Sequence, residues 1–249
     1  MSAAANALPR PRAIVVVSAH WETDVPSIGC AEHLETIHDF WGFPPALYDM
    51  RYAAQGNLAM AEEVSRLLRQ DGLSPRLDKS RGLDHGSWIP LRQMFPAANI
   101  PVIPLSLQPG LGPQHHLRLG RALAPLLEQG VLLLASGNLT HNLTDFRTTA
   151  PGANGNPSYV GEFADWIWAH LAEGNSTALL NYRHLAPYAA RAHPSEEHIL
   201  PLFVALGAAG LSYTAERLYS GIADHVLAMD MFAFRPALAH PTHVKEVQQ

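Results

Sequence analysis

Short apolar runs alternate along the chain with longer segments whose apolar residues recur at helical spacing. Three runs are rich in valine, isoleucine and leucine, as is typical of strands buried on both faces of a sheet: 13–17, 100–107 and 131–135. Three longer segments carry the helical spacing: 57–70, 113–128 and 158–173. Looser patterns predict strands at 25–30 and 226–234 and a short helix at 88–95. The alternation predicts an α/β protein, a single layered domain with a central mixed, largely buried β-sheet flanked by helices.

Histidines stand where several of these predicted elements begin or end. His20 follows the run at 13–17 and His141 follows the run at 131–135, at the carboxyl ends of strands, where α/β proteins place ligand-binding groups. His85 lies between two glycines in the segment GLDHGSWIPL. Ser195 is expected to cap a helix, which puts His198 in its first turn, where the helix dipole keeps the imidazole neutral. Four histidines at such positions can converge on one pocket.

The spacing of these histidines leaves their role open. No two of them form a zinc-finger or HExxH spacing, so spacing alone is weak evidence for a metal site. A hydrogen-bonded histidine in the core is the alternative interpretation of His20. Patterns for a serine nucleophile, a P-loop and a dinucleotide-binding turn are absent, which argues against serine hydrolysis and nucleotide chemistry.

The aromatic segment ETIHDFWGFP, residues 35–44, is more typical of a loop lining a pocket than of a helix. His38 and Asp39 within it are candidate substrate-pocket residues, together with Trp88 from the GLDHGSWIPL segment. The alternative, a packed aromatic loop that carries a surface histidine, fits the same pattern.

Composition narrows the possible partners. The chain of 249 residues is 47% hydrophobic and 16% charged, with a net charge of −5 and no basic cluster, which argues against binding to nucleic acid or to an anionic membrane. A single cysteine, Cys30, excludes an internal disulfide framework and a cysteine-cluster metal site. Neither a secretory signal nor a run long enough to cross a bilayer is present, so we expect a cytoplasmic protein.

Five motifs, taken in this order and spacing, carry a resemblance to a known family: IVVVSAHW, TIHDFWGFPPALYD, DHGSWIPL, ASGNLTHNL and HPSEEHILPL. Together they resemble the DOPA-dioxygenase-type extradiol ring-cleavage enzymes, the class III family related to the catalytic subunit of protocatechuate dioxygenase. The resemblance implies an extradiol dioxygenase-like catalytic domain over residues 9–236, followed by a polar C-terminal tail at 237–249.

The resemblance also implies an activity and a set of site residues. Such enzymes open catechol rings with O2 at a non-haem Fe(II), and members often hold Zn in crystals. By this resemblance His20 and His198 are metal ligands, His141 is the acid/base histidine and His85 is a second catalytic histidine of the pocket. The implied partners are a small catecholic substrate and O2, and the chain is a monomer or a homo-oligomer.

One motif of the family is missing from this sequence. Members normally carry a motif of the form HGSP about one strand upstream, and its histidine is a further metal ligand. We expect either that the start is misassigned or that this ligand is absent, with His33 or His38 as candidate replacements. In both cases the chain should be less stable and bind Fe(II) or Zn more weakly than a version extended upstream. Two alternatives remain: a non-catalytic Memo-like binding protein on the same fold, and a Zn-dependent hydrolase.

Overall fold

The computed structural model describes residues 1–149, 155–210 and 212–236. The strands in this part of the chain are β1 Ala13–Glu22, β2 Ser27–Gly29, β3 Arg76–Asp78, β4 Val102–Leu107, β5 Val131–Ser136, β6 Tyr213–Tyr219, β7 Ile222–Ala223, β8 Leu227–Ala228 and β9 Met231–Pro236. The helices are α1 Ser2–Asn6, α2 Pro45–Tyr48, α3 Leu58–Gln70, α4 His85–Met94, α5 Gly112–Glu128, α6 Leu143–Thr148, α7 Ser158–Ala172, α8 Ser176–Leu180, α9 Tyr182–Leu185, α10 Ala189–Ala192 and α11 Leu200–Ala209, with a 3₁₀ turn at Pro109–Leu111.

A mixed sheet of five strands forms the centre of the described residues, in the order β3-β2-β4-β1-β5. β1 runs parallel to both of its neighbours, β4 and β5, whereas β2 pairs with β4 in antiparallel fashion. The first seven residues of β1 are all buried, which explains why all of them except Ser18 are apolar. The predicted fold class, an α/β domain with a central mixed sheet, is confirmed.

Side chains of β1 alternate between two apolar layers. Val15 and Val17 pack in the larger cluster, which includes residues of α3, α5, α7 and α11. Ile14 and Val16 pack in the smaller cluster, with residues of α4. Both faces of the strand are therefore covered, and its carboxyl end is the point where polar side chains emerge.

Several predicted boundaries shift. The helix predicted at 88–95 begins at His85, because the Asp84 side chain caps it by accepting the Ser87 N–H. The strand predicted at 226–234 is split into β8 and β9, which pair with β7 and β6 respectively. The predicted tail at 237–249 lies outside the described residues.

The prediction that Ser195 caps a helix and puts His198 in its first turn is wrong. Helix α11 begins at Leu200, and His198 lies in the turn that precedes it. The turn forms because the Glu196 carbonyl accepts the N–H groups of Ile199 and Leu200. The Ser195 hydroxyl instead donates to Glu197 Oε1 at 3.0 Å.

Strand β5 forms one edge of the sheet within the described residues, pairing with β1 alone. Apart from Val131, its residues are half-buried although four of its six side chains are valine or leucine. No helix of the described residues combines the length and the apolarity that crossing a membrane requires.

Candidate active site

Four histidines from distant parts of the chain lie side by side at the carboxyl edge of the sheet. His20 is at the end of β1, His141 follows β5, His85 opens α4 and His198 precedes α11. The ring centroids of His20 and His85 are 4.0 Å apart, those of His20 and His198 are 5.0 Å apart, and those of His141 and His198 are 3.3 Å apart. The four rings form one continuous cluster.

The orientation of His20 and His198 suits a shared metal ion. A metal bound by imidazole lies in the plane of the ring, along the lone pair of the nitrogen. Two rings can therefore share an ion only if their planes intersect near a nitrogen atom of each ring. The planes of His20 and His198 are at 84° and their centroids are 5.0 Å apart. Two imidazoles on one tetrahedral ion, with metal–nitrogen distances of ~2.1 Å, should have centroids about 5.3 Å apart. The spacing of the two rings therefore matches that of two histidine ligands on one divalent metal.

His141 has a different relation to the cluster. Its ring stacks on that of His198 with an interplanar angle of only 11°. Two nearly parallel planes do not meet near the rings, so His141 and His198 cannot direct lone pairs to the same ion in this arrangement. The geometry leaves His141 beside the candidate metal position as a free base.

Two carboxylates fix the orientation of two of these rings. Glu197 Oε1 lies 2.9 Å from His198 Nδ1, and Asp39 Oδ1 lies 2.9 Å from His85 Nδ1. An ionised carboxylate only accepts hydrogen bonds, so in the neutral form of each ring Nδ1 carries the hydrogen and Nε2 has the lone pair. A carboxylate behind the ring is the usual support of a metal-binding histidine. Neither carboxylate was assigned this role from the sequence.

The protonation states follow from burial and these hydrogen bonds. The hydrogen bond from His198 lowers the pKa of Glu197 to about 2. Burial raises the pKa of Asp39, but the hydrogen bonds from His85 outweigh it and lower the value to about 2. Burial, followed by the proximity of other histidines, lowers the pKa of His20 and of His141 to about 4. Both histidines are therefore neutral at pH 7, as a ligand and a base must be.

A buried ion pair supports His20 from behind. Asp84 is 2% exposed and receives hydrogen bonds from Arg81 Nη2 and Ser18 Oγ, each at 2.6 Å. Ser18 Oγ in turn accepts the backbone N–H of His20 at 3.2 Å. A Cβ atom on Gly86 would lie 2.9 Å from His20 Cδ2, so only glycine allows the helix start to approach this ring.

The loops that carry His141 and His198 are tied to each other through the backbone. The N–H of Asn138 donates to the carbonyl of His198 at 2.9 Å, and the N–H of His141 donates to the carbonyl that ends α10 at 2.8 Å. His193, which is fully buried, lies 2.7 Å through Nε2 from the carbonyl of residue 139. The positions of the two stacked rings are therefore set by one connected set of hydrogen bonds.

The predicted pocket residues of the aromatic loop have separate places. Asp39 reaches the histidine cluster, whereas His38 Nε2 bonds to the Met50 carbonyl at 3.0 Å and its ring packs against Trp88. Trp88 is 1% exposed and donates to the Ile37 carbonyl, so it supports the loop from beneath and does not line a pocket. Trp88 was predicted to line the substrate pocket. Instead, this large aromatic side chain is buried in the core near the start of α4.

Neither proposed replacement for the missing ligand joins the cluster. Two groups of described residues offer ligand atoms within 4.8 Å of one another, His20 with Asp39 and His85, and His141 with Glu197 and His198. His38 belongs to neither group, and His33 is exposed. Phe40, which was not among the predicted pocket residues, meets the His85 ring edge-on at 5.6 Å.

Most of the chain matches a known protein family. Residues 1–228 match the family described as the catalytic LigB subunit of aromatic ring-opening dioxygenase, so the chain belongs to that family. It is accordingly an enzyme of the class III extradiol dioxygenase type, a class that works with a non-haem metal.

Relatives from plants and bacteria share most of the chain. A protein named 4,5-DOPA dioxygenase extradiol from Mirabilis jalapa is 40% identical over 228 residues, covering 91% of this chain and 84% of the relative. A protein of the same name from Escherichia coli K12 is 41% identical over 206 residues, covering 81% of this chain and 74% of the relative. A crystal structure of an uncharacterised protein, JW3007 from Escherichia coli K12, superimposes with a TM-score of 0.77 at 33% identity, covering 93% of this chain and 89% of that one.

Proposed function

We propose that this enzyme opens the ring of a catecholic substrate with O2, at an Fe(II) ion held by His20 and His198. The observation that carries the proposal is the pair of perpendicular imidazoles 5.0 Å apart, with the neutral His141 stacked against one of them. Two nitrogen ligands leave open positions on the ion, and such open, nitrogen-containing sites are typical of non-haem iron oxygenases. Zn can occupy the same ligands in the purified protein.

A metal ion held by His20 and His198 would supply Lewis-acid chemistry for the catechol and O2. The chain supplies the proton chemistry. His141 is neutral, so it can accept the proton of a catechol hydroxyl and return it to the ring-opened product. Both atoms of O2 enter that product, so the reaction needs no external reductant. His85, fixed by Asp39, is the second catalytic histidine of this proposal and accepts a hydrogen bond through Nε2.

The proposed substrate class rests on the aromatic loop and on the relatives. Phe40 lies edge-on to His85, and the loop around it exposes two further aromatic side chains, Trp41 and Phe43. Aromatic side chains beside the histidine cluster suit a flat aromatic ring. Relatives named 4,5-DOPA dioxygenase extradiol make dihydroxyphenylalanine the first compound to test, and a more distant relative named 3,4-dihydroxyphenylacetate 2,3-dioxygenase suggests the second.

The test is oxygen uptake by Fe(II)-loaded protein with each catechol, compared with the Zn-loaded form. We expect stoichiometric O2 consumption and a yellow ring-opened product with Fe(II) alone. Hydrolysis of an ester or amide by the Zn form, without O2 uptake by the Fe(II) form, would favour a hydrolase. Binding of a catechol without turnover would favour a binding protein.

The role of His141 is tested by His141→Ala. Because this ring cannot share the ion with His198 in the observed stack, the variant should keep its metal content while turnover falls by about 10²–10⁴-fold. His184→Ala, which removes an exposed histidine far from the cluster in sequence, is the matched control and should retain full activity. Loss of metal from the His141 variant would show that His141 is a ligand.

A further inference from the structure

The aromatic loop contacts the histidine cluster through Asp39, which bonds twice to His85. Asp39 Oδ1 receives two hydrogen bonds from a single residue, from the backbone N–H of His85 and from its Nδ1, both at 2.9 Å. The two residues are 46 positions apart, so this double contact joins two distant segments.

The contact is possible because His85 is the first residue of α4. The first N–H groups of a helix have no partner within the helix, and the capping carboxylate of Asp84 is already bonded to Ser87 and Arg81. Asp39 therefore takes the N–H that the cap leaves free and binds the ring of the same residue. Its other oxygen, Oδ2, lies 3.7 Å from His20 Nδ1, too far for a hydrogen bond.

The loop holds Asp39 in place before any ligand binds. The N–H of Ile37 donates to the Leu83 carbonyl at 2.8 Å, and the Leu83 N–H donates to the Glu35 carbonyl at 2.7 Å. The indole of Trp88 donates to the Ile37 carbonyl at 3.0 Å. These bonds anchor the loop directly before Asp39 to the segment directly before His85, so the carboxylate has little freedom to leave the ring.

We propose that Asp39 is a positioning residue, which locks His85 in the tautomer with hydrogen on Nδ1 and so keeps the Nε2 lone pair available to a substrate hydroxyl. The ring is also held between His20, at 4.0 Å, and the edge contact with Phe40, at 5.6 Å. Asp39 thus sets the chemistry of the ring while its neighbours set its place. The kinetic part of this inference rests on the proposed function, whereas the tautomer does not.

The decisive variant is Asp39→Ala, which removes the acceptor of both hydrogen bonds from His85. Asp39→Asn is the conservative variant: one oxygen, Oδ1, accepts both the backbone N–H and Nδ1 of His85, and an amide oxygen can do the same, whereas an amide NH2 group there would face the backbone N–H as a second donor. Nitrogen-15 spectra of histidine-labelled, Zn-loaded protein distinguish the two tautomers, and the His85 signal is assigned by its disappearance in His85→Gln. We expect hydrogen on Nδ1 in the parent protein and in Asp39→Asn, and a mixture of both tautomers in Asp39→Ala.

Kinetics then test whether the tautomer matters. Asp39→Ala should retain its metal and lower kcat by about 10–100-fold, the usual cost of losing such a supporting partner, whereas Asp39→Asn should keep most of the activity. In a protein that already carries His85→Gln, Asp39→Ala should lower kcat no further, because Asp39 acts through that ring. Asp49→Asn, at an exposed position at the end of α2, is the matched control and should leave both the spectrum and kcat unchanged.

Two results would overturn the inference: an unchanged His85 tautomer in Asp39→Ala, or a full further loss of kcat when Asp39→Ala is added in the His85→Gln background. If the parent protein turns over no catechol, the proposed function fails, and the spectra still decide whether Asp39 sets the tautomer.

Discussion

The backbone contact behind His198 gives the sharpest structural prediction, because a single methyl group should disturb it. A Cβ atom on Gly137 would lie 2.1 Å from the His198 carbonyl oxygen. The closest ordinary approach of carbon and oxygen is about 3.3 Å, so Gly137→Ala must push the two segments about 1 Å apart. The backbone of Gly137 is not in the left-handed region, so alanine there adds no backbone strain and the clash is the only perturbation.

The expected magnitude follows from two losses. Forcing an extra methyl group into a packed site costs about 1–3 kcal/mol, and the adjacent hydrogen bond from Asn138 to His198, 2.9 Å long, contributes a further ~1 kcal/mol. We therefore expect Gly137→Ala to lower the free energy of unfolding by about 2–4 kcal/mol. Metal ligands tolerate displacements of only about 0.2 Å, so affinity for Zn should fall by at least 10-fold.

The assay is urea unfolding together with Zn titration against a chromophoric chelator. Gly161→Ala is the matched control, because a Cβ atom there meets nothing within 4 Å and the position lies inside α7. That variant should be more stable than the parent by about 0.5–1 kcal/mol, with unchanged Zn affinity. If Gly137→Ala unfolds and binds Zn like the parent protein, the close contact does not hold His198 and the reasoning fails.

Two further predictions concern charge. Asp84→Asn keeps a capping side chain but leaves the Arg81 guanidinium, which is 19% exposed, without its counter-ion. The change should lower the free energy of unfolding, measured in urea, by about 3 kcal/mol, and a loss below about 1 kcal/mol would contradict this. Burial lowers the pKa of His116 to about 4 and that of His193 to about 3. Between about pH 6.5 and 4, these two histidines are therefore protonated in the unfolded chain and neutral in the folded protein. The free energy of unfolding should accordingly be constant above about pH 7.5 and fall below pH 6.5, by up to about 1.4 kcal/mol per pH unit for each group; a slope unchanged by His116→Gln would contradict the assignment to that residue.

The sheet was predictable from the sequence because its signal is local. β1 is apolar at every buried position except Ser18, and its neighbours β4 and β5 carry similar runs, so each strand is visible in its own residues. The order β3-β2-β4-β1-β5 was not predictable, because pairing depends on contacts between segments far apart in the chain. The start of α11 was misjudged for a related reason, since Ser195, a residue well suited to capping, uses its hydroxyl to bind Glu197.

The candidate site shows the same contrast between features that local sequence reveals and features that depend on contacts between distant segments. The histidines could be found because strand ends and motif resemblance mark them individually. Glu197 adjoins His198 in the chain, and a sequence argument could have assigned it as the partner of that ring. Asp39 lies 46 residues from His85 and meets it only because the loop is bonded beside the start of α4.

This difference has a consequence for how the two rings respond to change. Glu197 and His198 are adjacent in the chain, so their hydrogen bond persists as long as the local turn does. It should therefore survive small shifts of the surrounding elements. The partnership of Asp39 and His85 depends on two segments staying in register, through the Ile37 and Leu83 hydrogen bonds. Movement of the aromatic loop would therefore change the tautomer of His85 while leaving the orientation of His198 as it is. In the proposed reaction, the substrate side of the site is thus the adjustable part, and the metal side is the fixed one.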